Sequence, residues 1–302
     1  MDAIATESLA RKFGEVEALR GLTLNVKAGE CVGLLGPNGA GKTTTIKLLL
    51  GLIRPTGGTA EVFGCAPGHP NVRRRVGYSP ETPHFYPFLS ARETLRFYGK
   101  LSGLKPAQVD ADGILRQVGL SDAADKQVGG FSKGMAQRLA VAQALVGDPE
   151  LLFLDEPSSG LDPLGRVEMR SLIRQLATTG RTILLNTHII ADVETVASRV
   201  IMLKAGQLAA VEDLTHTQAL GVTAQVTDLK PAALDALRAW GLTVAYDGEQ
   251  LTLAGLQDGQ EPDVVARLVA GGGRIYSFTP RRVSLEQRFL EVMAVGGEHH
   301  DC

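Results

Sequence analysis

Apolar residues along the chain follow two periods. Ile4–Leu9, Val16–Val26 and Glu30–Leu35 read as strands separated by turn residues. Thr43–Leu50 is a helix-period apolar run. From about Pro87 to Val146 the pattern is mostly helical, with spaced apolar positions over Ala91–Leu101, Pro106–Val118 and Met135–Val146. Leu151–Leu154 then gives four consecutive apolar residues ending at Asp155 and Glu156, which suits a strand buried on both faces of a parallel sheet. Thr182–Asn186 is a second such strand, ending at Thr187 and His188, and Val200–Leu203 is a third. A β-rich start followed by strands alternating with helices predicts an α/β core with a mostly parallel sheet and a helical insertion at about 87–146.

Beyond residue 215 the pattern changes. Val222–Val226 alternates, Pro231–Trp240 reads as a helix, and Leu242–Tyr246 and Gln250–Leu253 flank Asp247-Gly248-Glu249, a hairpin signal. Pro262–Ala270 is helical and Arg274–Phe278 alternates again. That order, β-α-β-β-α-β, predicts a small ferredoxin-like α+β domain over 216–302, separate from a core domain over 1–215. Ser284 caps a final amphipathic helix running to Met293. No catalytic constellation occurs in this part. His299, His300, Asp301 and Cys302 are metal-ligating types without a second ligand cluster, so a disordered tail is the expectation there.

Between the third strand and the first helix lie Gly36, Pro37, Asn38, Gly39, Ala40, Gly41, Lys42, Thr43 and Thr44, a complete G-x-x-x-x-G-K-[ST] loop in its required strand–loop–helix context. The glycines let successive N–H groups turn inward on phosphate oxygens, and the helix start adds its positive end. Lys42 is placed to reach the β- and γ-phosphates, and the Thr43 hydroxyl to ligate Mg²⁺. These residues imply a bound nucleoside triphosphate. In an open α/β sheet ligands sit beyond the carboxyl ends of strands, where Asp155, Glu156 and His188 also fall. Asp155 suits Mg²⁺, Glu156 can orient or deprotonate an attacking water, and His188 can reach the γ-phosphate. Taken alone, Asp-Glu after a strand fits a helix N-cap equally well, and a lone histidine is commonly just a satisfied side chain. Their coincidence with a complete phosphate loop favours the chemical reading.

Bulk properties narrow the classes. The chain has 302 residues, 44% hydrophobic and 21% charged, with a formal net charge of −2, so nothing electrostatic argues for nucleic acid. Three cysteines without paired spacing suit a reducing compartment. No window approaches the roughly 18 apolar residues of a membrane span, and the acidic N-terminus lacks a signal peptide's basic start. The expectation is a cytoplasmic protein whose membrane role, if any, runs through a partner.

On these motifs the chain resembles the ATP-binding subunits of ABC transporters over about residues 3–215. Phe131-Ser132-Lys133-Gly134-Met135, continuing to Leu139, looks like the family's signature loop and its helix, just upstream of the Leu151–Glu156 strand. Ser159–Asp162 looks like the D-loop and His188 like the switch histidine. Phe13, 29 residues before Lys42, stands where an aromatic stacks on adenine. The resemblance implies ATP and Mg²⁺ as ligands and a head-to-tail dimer, homodimeric or with a related ATPase. ATP on one phosphate loop would there meet Ser132, Gly134 and Asp162 of the second subunit. Ser132 also suits an N-cap, and the following helix dipole favours anions.

Two positions depart from the common family pattern. Lys133 stands in the signature where Leu-Ser-Gly-Gly-Gln has glycine, and Gly77-Tyr78-Ser79-Pro80-Glu81 puts Glu81 where a glutamine usually serves Mg²⁺. Both resemble the ATPases of two-component, ABC-2 type exporters, and a carboxylate remains a competent Mg²⁺ ligand. The aromatic stretch His84–Phe88 follows directly, so the resemblance implies an integral membrane permease contacted near Tyr78–Phe88, with the chain peripheral on the cytoplasmic face of the membrane. Packing of the helical insertion would account for any one of those rings equally well. The implied function is ATP hydrolysis driving a separate permease, in the export direction. A soluble, non-transport ATPase of DNA repair, translation or cluster assembly is the alternative. Those usually carry two cores or a long coiled coil, and this chain has one phosphate loop and no heptads.

Overall fold

The computed structural model describes residues 1–215, 219–256, 259–282 and 284–294. The chain divides into two compact units, Met1–Leu214 and Thr215–Cys302. The first opens with β1 (Asp2–Phe13), β2 (Val16–Lys27), β3 (Cys31–Leu35), α1 (Lys42–Leu49), β4 (Gly57–Val62), α2 (Pro70–Arg73) and β5 (Val76–Ser79). Then come α3 (Ala91–Leu101), α4 (Ala111–Gln117), α5 (Lys133–Ala144), β6 (Leu151–Asp155), α6 (Pro163–Thr178), β7 (Thr182–Asn186), α7 (Ile190–Val196), β8 (Arg199–Lys204) and β9 (Gln207–Asp213).

Two sheets result. β2-β1-β4 is antiparallel, and β5-β6-β7-β3-β8-β9 is parallel except for β9, which runs antiparallel to β8. The apolar run of β6 works as its pattern requires. Leu151 and Phe153 enter one core cluster with Leu184, while Leu152 and Leu154 enter the other with Ile183 and Leu185. Successive strand side chains alternate faces, so a continuous apolar run is what a strand covered on both sides needs. One cluster lies toward the helices α3–α6, and the other joins α1 to the antiparallel sheet.

The insertion holds three α-helices. Ala91–Leu101 forms as the pattern predicts, with Ser90 and Glu93 making a reciprocal capping box. Pro106–Val118 does not form one helix. Pro106–Gln108 is a single 3₁₀ turn, and Asp110 caps a new helix by accepting from Gly113 N at 2.9 Å. Helix α5 begins two residues before Met135, because Ser132 is its cap and accepts from Met135 N.

The second unit contains β10 (Ala219–Thr227), α8 (Pro231–Ala239), β11 (Thr243–Tyr246), β12 (Gln250–Ala254), α9 (Glu261–Ala270), β13 (Arg274–Arg282) and α10 (Leu285–Ala294). Its strands form one antiparallel sheet in the order β11-β12-β10-β13, the ferredoxin-like arrangement of a β-α-β-β-α-β chain. Val222, Val226, Leu237, Leu251, Val264 and Leu268 give this unit a core of its own. Ser284 caps α10 by accepting from Gln287 N at 3.1 Å. The tail residues His299–Cys302 lie outside the described residues.

Candidate functional site

Four neighbouring parallel strands, β5, β6, β7 and β3, end on one edge of the larger sheet. Each end carries a sequence-predicted residue or leads straight into one. Glu81 lies two residues past β5, Asp155 ends β6 with Glu156 next, His188 lies two past β7, and the Gly36–Thr44 loop follows β3. The rule that ligands gather at the carboxyl ends of such strands therefore has a concrete basis here.

The loop is shaped by its glycines. Gly39 and Gly41 adopt φ of +80° and +100°, and Gly41 is the N-cap of α1. A Cβ on Gly36 would fall 2.4 Å from the Leu203 carbonyl oxygen, and one on Gly41 2.7 Å from that of Ala18. The Lys42 ammonium turns back into the loop, donating to the Gly36 and Pro37 carbonyls at 2.7 and 3.2 Å. Burial pulls its pKa down, and the charges of Glu156, Asp155 and Glu81 push the other way. A buried cation facing three carboxylates is suited to taking up an anionic ligand with its counter-cation.

Asp155 is 2% exposed, contacts Asn186 Nδ2, and accepts from the Tyr78 hydroxyl at 3.4 Å. Burial, with Glu156 and Glu81 nearby, raises its pKa. Glu156 sits at φ +47°, a left-handed conformation rare for a residue with a Cβ, and its N–H donates to the Asn186 carbonyl. Its carboxylate accepts from the Thr187 hydroxyl at 3.4 Å and lies 2.9 Å from His188 Nδ1. Around these groups, Ser79 Oγ, Ser158 Oγ and Asn186 Oδ1 are buried without a partner in the chain. Orphaned polar atoms clustered at strand ends fit a site completed by ligand, ion or water.

Among the described residues no group of three or more His, Cys, Asp or Glu side chains could hold a metal ion by itself. The donor set of one hydroxyl, Thr43, and two carboxylates, Asp155 and Glu81, fits Mg²⁺, which keeps several waters and shares phosphate ligands. Phe13 ends β1 with 46% of its surface exposed and the Arg11 guanidinium 4.5 Å from its ring centre. Ser132 and Gly134 occupy the cap and first turn of α5, and Asp162 caps α6 by accepting from Gly165 N at 2.9 Å.

Some contributors escaped the sequence reading. Val76–Ser79 forms a four-residue strand that no alternation in the sequence marks, and this edge strand is what delivers Glu81. Tyr78, Asn186 and Thr187 surround the two acidic residues, and only their position at strand ends could have singled them out. Gly57–Val62 was hidden by its two glycines. The 16-residue helix α6, which anchors the Ser159–Asp162 loop, also went unread.

Comparison with known proteins bears on the whole core. A family model described as ABC transporter matches residues 19–159. An uncharacterized ABC transporter ATP-binding protein of Nostoc sp. is 42% identical over 91% of this chain and 83% of its own. A Nod factor export ATP-binding protein of Ralstonia nicotianae is 36% identical over 82% of this chain and 80% of its own. Among solved structures, the dimeric cassette MJ0796 in a post-hydrolysis state with ADP and Pi superimposes with a TM-score of 0.63. It shares 26% identity and covers 70% of this chain and 98% of that one. Relatives of this kind do not favour the soluble, non-transport reading. With its phosphate loop and strand-end carboxylates, the chain belongs to the ABC transporter ATP-binding proteins, the ATP-hydrolysing cassettes of those transporters.

Proposed function

We propose that this ATPase is one half of a composite machine. ATP held by Gly36–Thr44, with Phe13 against its base, is closed over by Ser132, Gly134 and Asp162 of a second copy or of a related ATPase. Glu156 accepts the proton of the attacking water, and His188 orients Glu156 and the γ-phosphate. Mg²⁺, held by Thr43, Asp155 and Glu81, would neutralise triphosphate charge and polarise the phosphoryl oxygen. One observation carries this reading: the Glu156 carboxylate is held by Thr187 and His188 at the strand end next to the one that leads into Lys42. Ser132, Asp162 and the loop residues Pro37–Gly39 are all exposed, which supports their use toward a second chain.

The pair would drive a separate integral membrane permease, exporting its cargo, from the cytoplasmic face of the membrane. Among the described residues no helix is long and apolar enough to cross a membrane. Tyr86 and Phe88 are 51% and 65% exposed, and Tyr86 stacks edge-on against Phe97. Tyr78, at the other end of the Tyr78–Phe88 stretch, lines an apolar cavity of about 340 Å³ with Leu49, Leu50, Leu52, Val72 and Val76. Exposed rings of this kind suit a short partner helix. The unit beyond Leu214 has its own core and, among its described residues, no group of His, Cys, Asp or Glu that could hold a metal, and a regulatory or dimer-stabilising role fits it.

Glu156→Gln tests the reading. It is expected to abolish turnover, leave ATP binding intact and trap an ATP-bound dimer. A wild-type rate would sink Glu156 as the base, and a monomer at saturating ATP would sink the composite site.

A further inference from the structure

Helix α5 touches two loops of the site from one face. Lys133 and Gln137 are four residues apart, so their side chains project from the same side of the helix. Lys133 lies so close over Gly160, in the Ser159–Asp162 loop, that a Cβ there would fall 1.8 Å from its ammonium. One turn further on, the Gln137 amide donates to the Glu81 backbone carbonyl at 3.1 Å. Gln137 is 3% exposed, and its own oxygen is buried with no partner.

This contact joins elements with opposite loyalties. Glu81 follows β5 at the same sheet edge as Asp155 at the end of β6 and the Lys42 loop after β3. The α5 N-terminus leaves Ser132 exposed at its cap, with Gly134 half-buried in the first turn. We infer that Gln137 is a positioning residue that couples the two nucleotide sites, tying the loop that senses one nucleotide to the helix end that grips the other. The inference rests on the composite site proposed above. A movement of Glu81 toward its ligand must then carry α5 with it or break the hydrogen bond. The amide has a free acceptor with which to take a second partner. Two discrete arrangements of one buried amide are what energetic coupling between sites requires.

The test uses the full-length chain with Gln137→Met, which keeps length and burial but removes the donor. The expected result is a fall in the cooperativity of ATPase activity toward ATP. The ATP needed to form the Glu156→Gln dimer should rise within the range of about 5- to 150-fold that such couplings span. Affinity of the isolated monomer for a fluorescent ADP analogue should stay within about twofold, well inside that coupling range. Unchanged cooperativity and dimer formation would overturn the inference, as would a loss of monomer affinity as large as the loss of dimer.

If the Glu156→Gln chain never dimerises, the composite site itself fails, a distinct outcome. Gln137→Glu gives a second readout should the methionine variant not fold. Its ionised carboxylate repels the Glu81 carbonyl, whereas its protonated form donates to it. Activity relative to the native chain should therefore recover as pH falls, and a flat ratio would again overturn the coupling.

Discussion

His188 Nδ1 stands 2.9 Å from Glu156 Oε2, joining the ends of two adjacent strands. Asp155 pairs with Asn186 in the β6–β7 register, and a slip of one residue would turn both side chains to opposite faces. The imidazole is 55% exposed while the carboxylate is 10% exposed, so the histidine is the partner free to turn toward a ligand. His188→Ala is expected to lower kcat by about 10²–10⁴-fold, the usual worth of a positioned acid–base group, with a much smaller change in KM. Steady-state kinetics decide it, and an equal loss confined to KM would contradict the role.

The burial of Asp155 predicts a pH-dependent cost to folding. Burial first, then the charges of Glu156 and Glu81, hold its carboxyl above the ordinary range, against hydrogen bonds from Asn186 and Tyr78. A carboxyl with a raised folded pKa binds its proton more tightly when folded. Stability therefore falls as pH rises from the unfolded pKa through the folded one, and the cost persists at neutral pH. Asp155→Asn should raise the melting temperature of the nucleotide-free protein at neutral pH, each kcal/mol being worth about 2–4 °C in a chain of this size. The gain should shrink as pH falls through that window, while hydrolysis of ATP is lost. A lower melting temperature would show that the carboxylate is net stabilising.

Phe13 depends on a neighbour for its position. Arg11 lies over one side of its ring and is fixed by donating to the Arg54 carbonyl at 2.7 Å. The other side is where the nucleobase proposed above would stack. Phe13→Ala is expected to raise KM for ATP by about 5- to 150-fold, matching about 1–3 kcal/mol for one stacked base. Phe13→Tyr should change it little. Inhibition by inorganic tripolyphosphate, which has no base, should be the same in all three proteins, and a parallel loss there would point to a damaged hairpin.

The features legible in the chain are those whose signal is local. The phosphate loop, the β6 run and the Ser132 cap are written in consecutive residues, and each forms where its pattern lies, within two residues. Glu81 was legible only by resemblance, because β5 is four residues long and takes its stability from pairing with β6 rather than from its own pattern. The Glu156–His188 contact and the Gln137–Glu81 hydrogen bond join residues 32 and 56 positions apart, and no periodicity encodes them. The break before α4 is a capping effect: Asp110 offers its carboxylate to Gly113 and outcompetes continuation of the turn at Pro106.

Arg170 and Asp192 brace the helices α6 and α7 that follow β6 and β7. Arg170 Nη1 lies 3.3 Å from Asp192 Oδ1, and Asp192 is 1% exposed with its second oxygen unpartnered. Removing one member of such a pair strands a buried charge. Arg170→Ala should cost about 3–5 kcal/mol of unfolding free energy, whereas joint replacement of Arg170 and Asp192 by methionine and leucine should recover most of it. Chemical denaturation of the three proteins tests this, and strictly additive losses would mean that the pair contributes nothing as a pair.

The unit beyond Leu214 buries Leu251 completely against Val222, Leu237 and Leu268, and none of these side chains belongs to the two clusters of the ATPase unit. Leu251→Ala leaves a cavity and should destabilise that unit by about 2–5 kcal/mol. Because the cores are separate, the loss should appear as an earlier first step in thermal or urea unfolding, with the step of the ATPase unit unmoved. Nucleotide binding by the monomer should be unaffected, since every residue proposed to touch ATP lies within Met1–Leu214. A loss of dimer formation at unchanged monomer affinity would assign the second unit to stabilising the pair. A concerted shift of both unfolding steps would instead show that the two cores unfold as one.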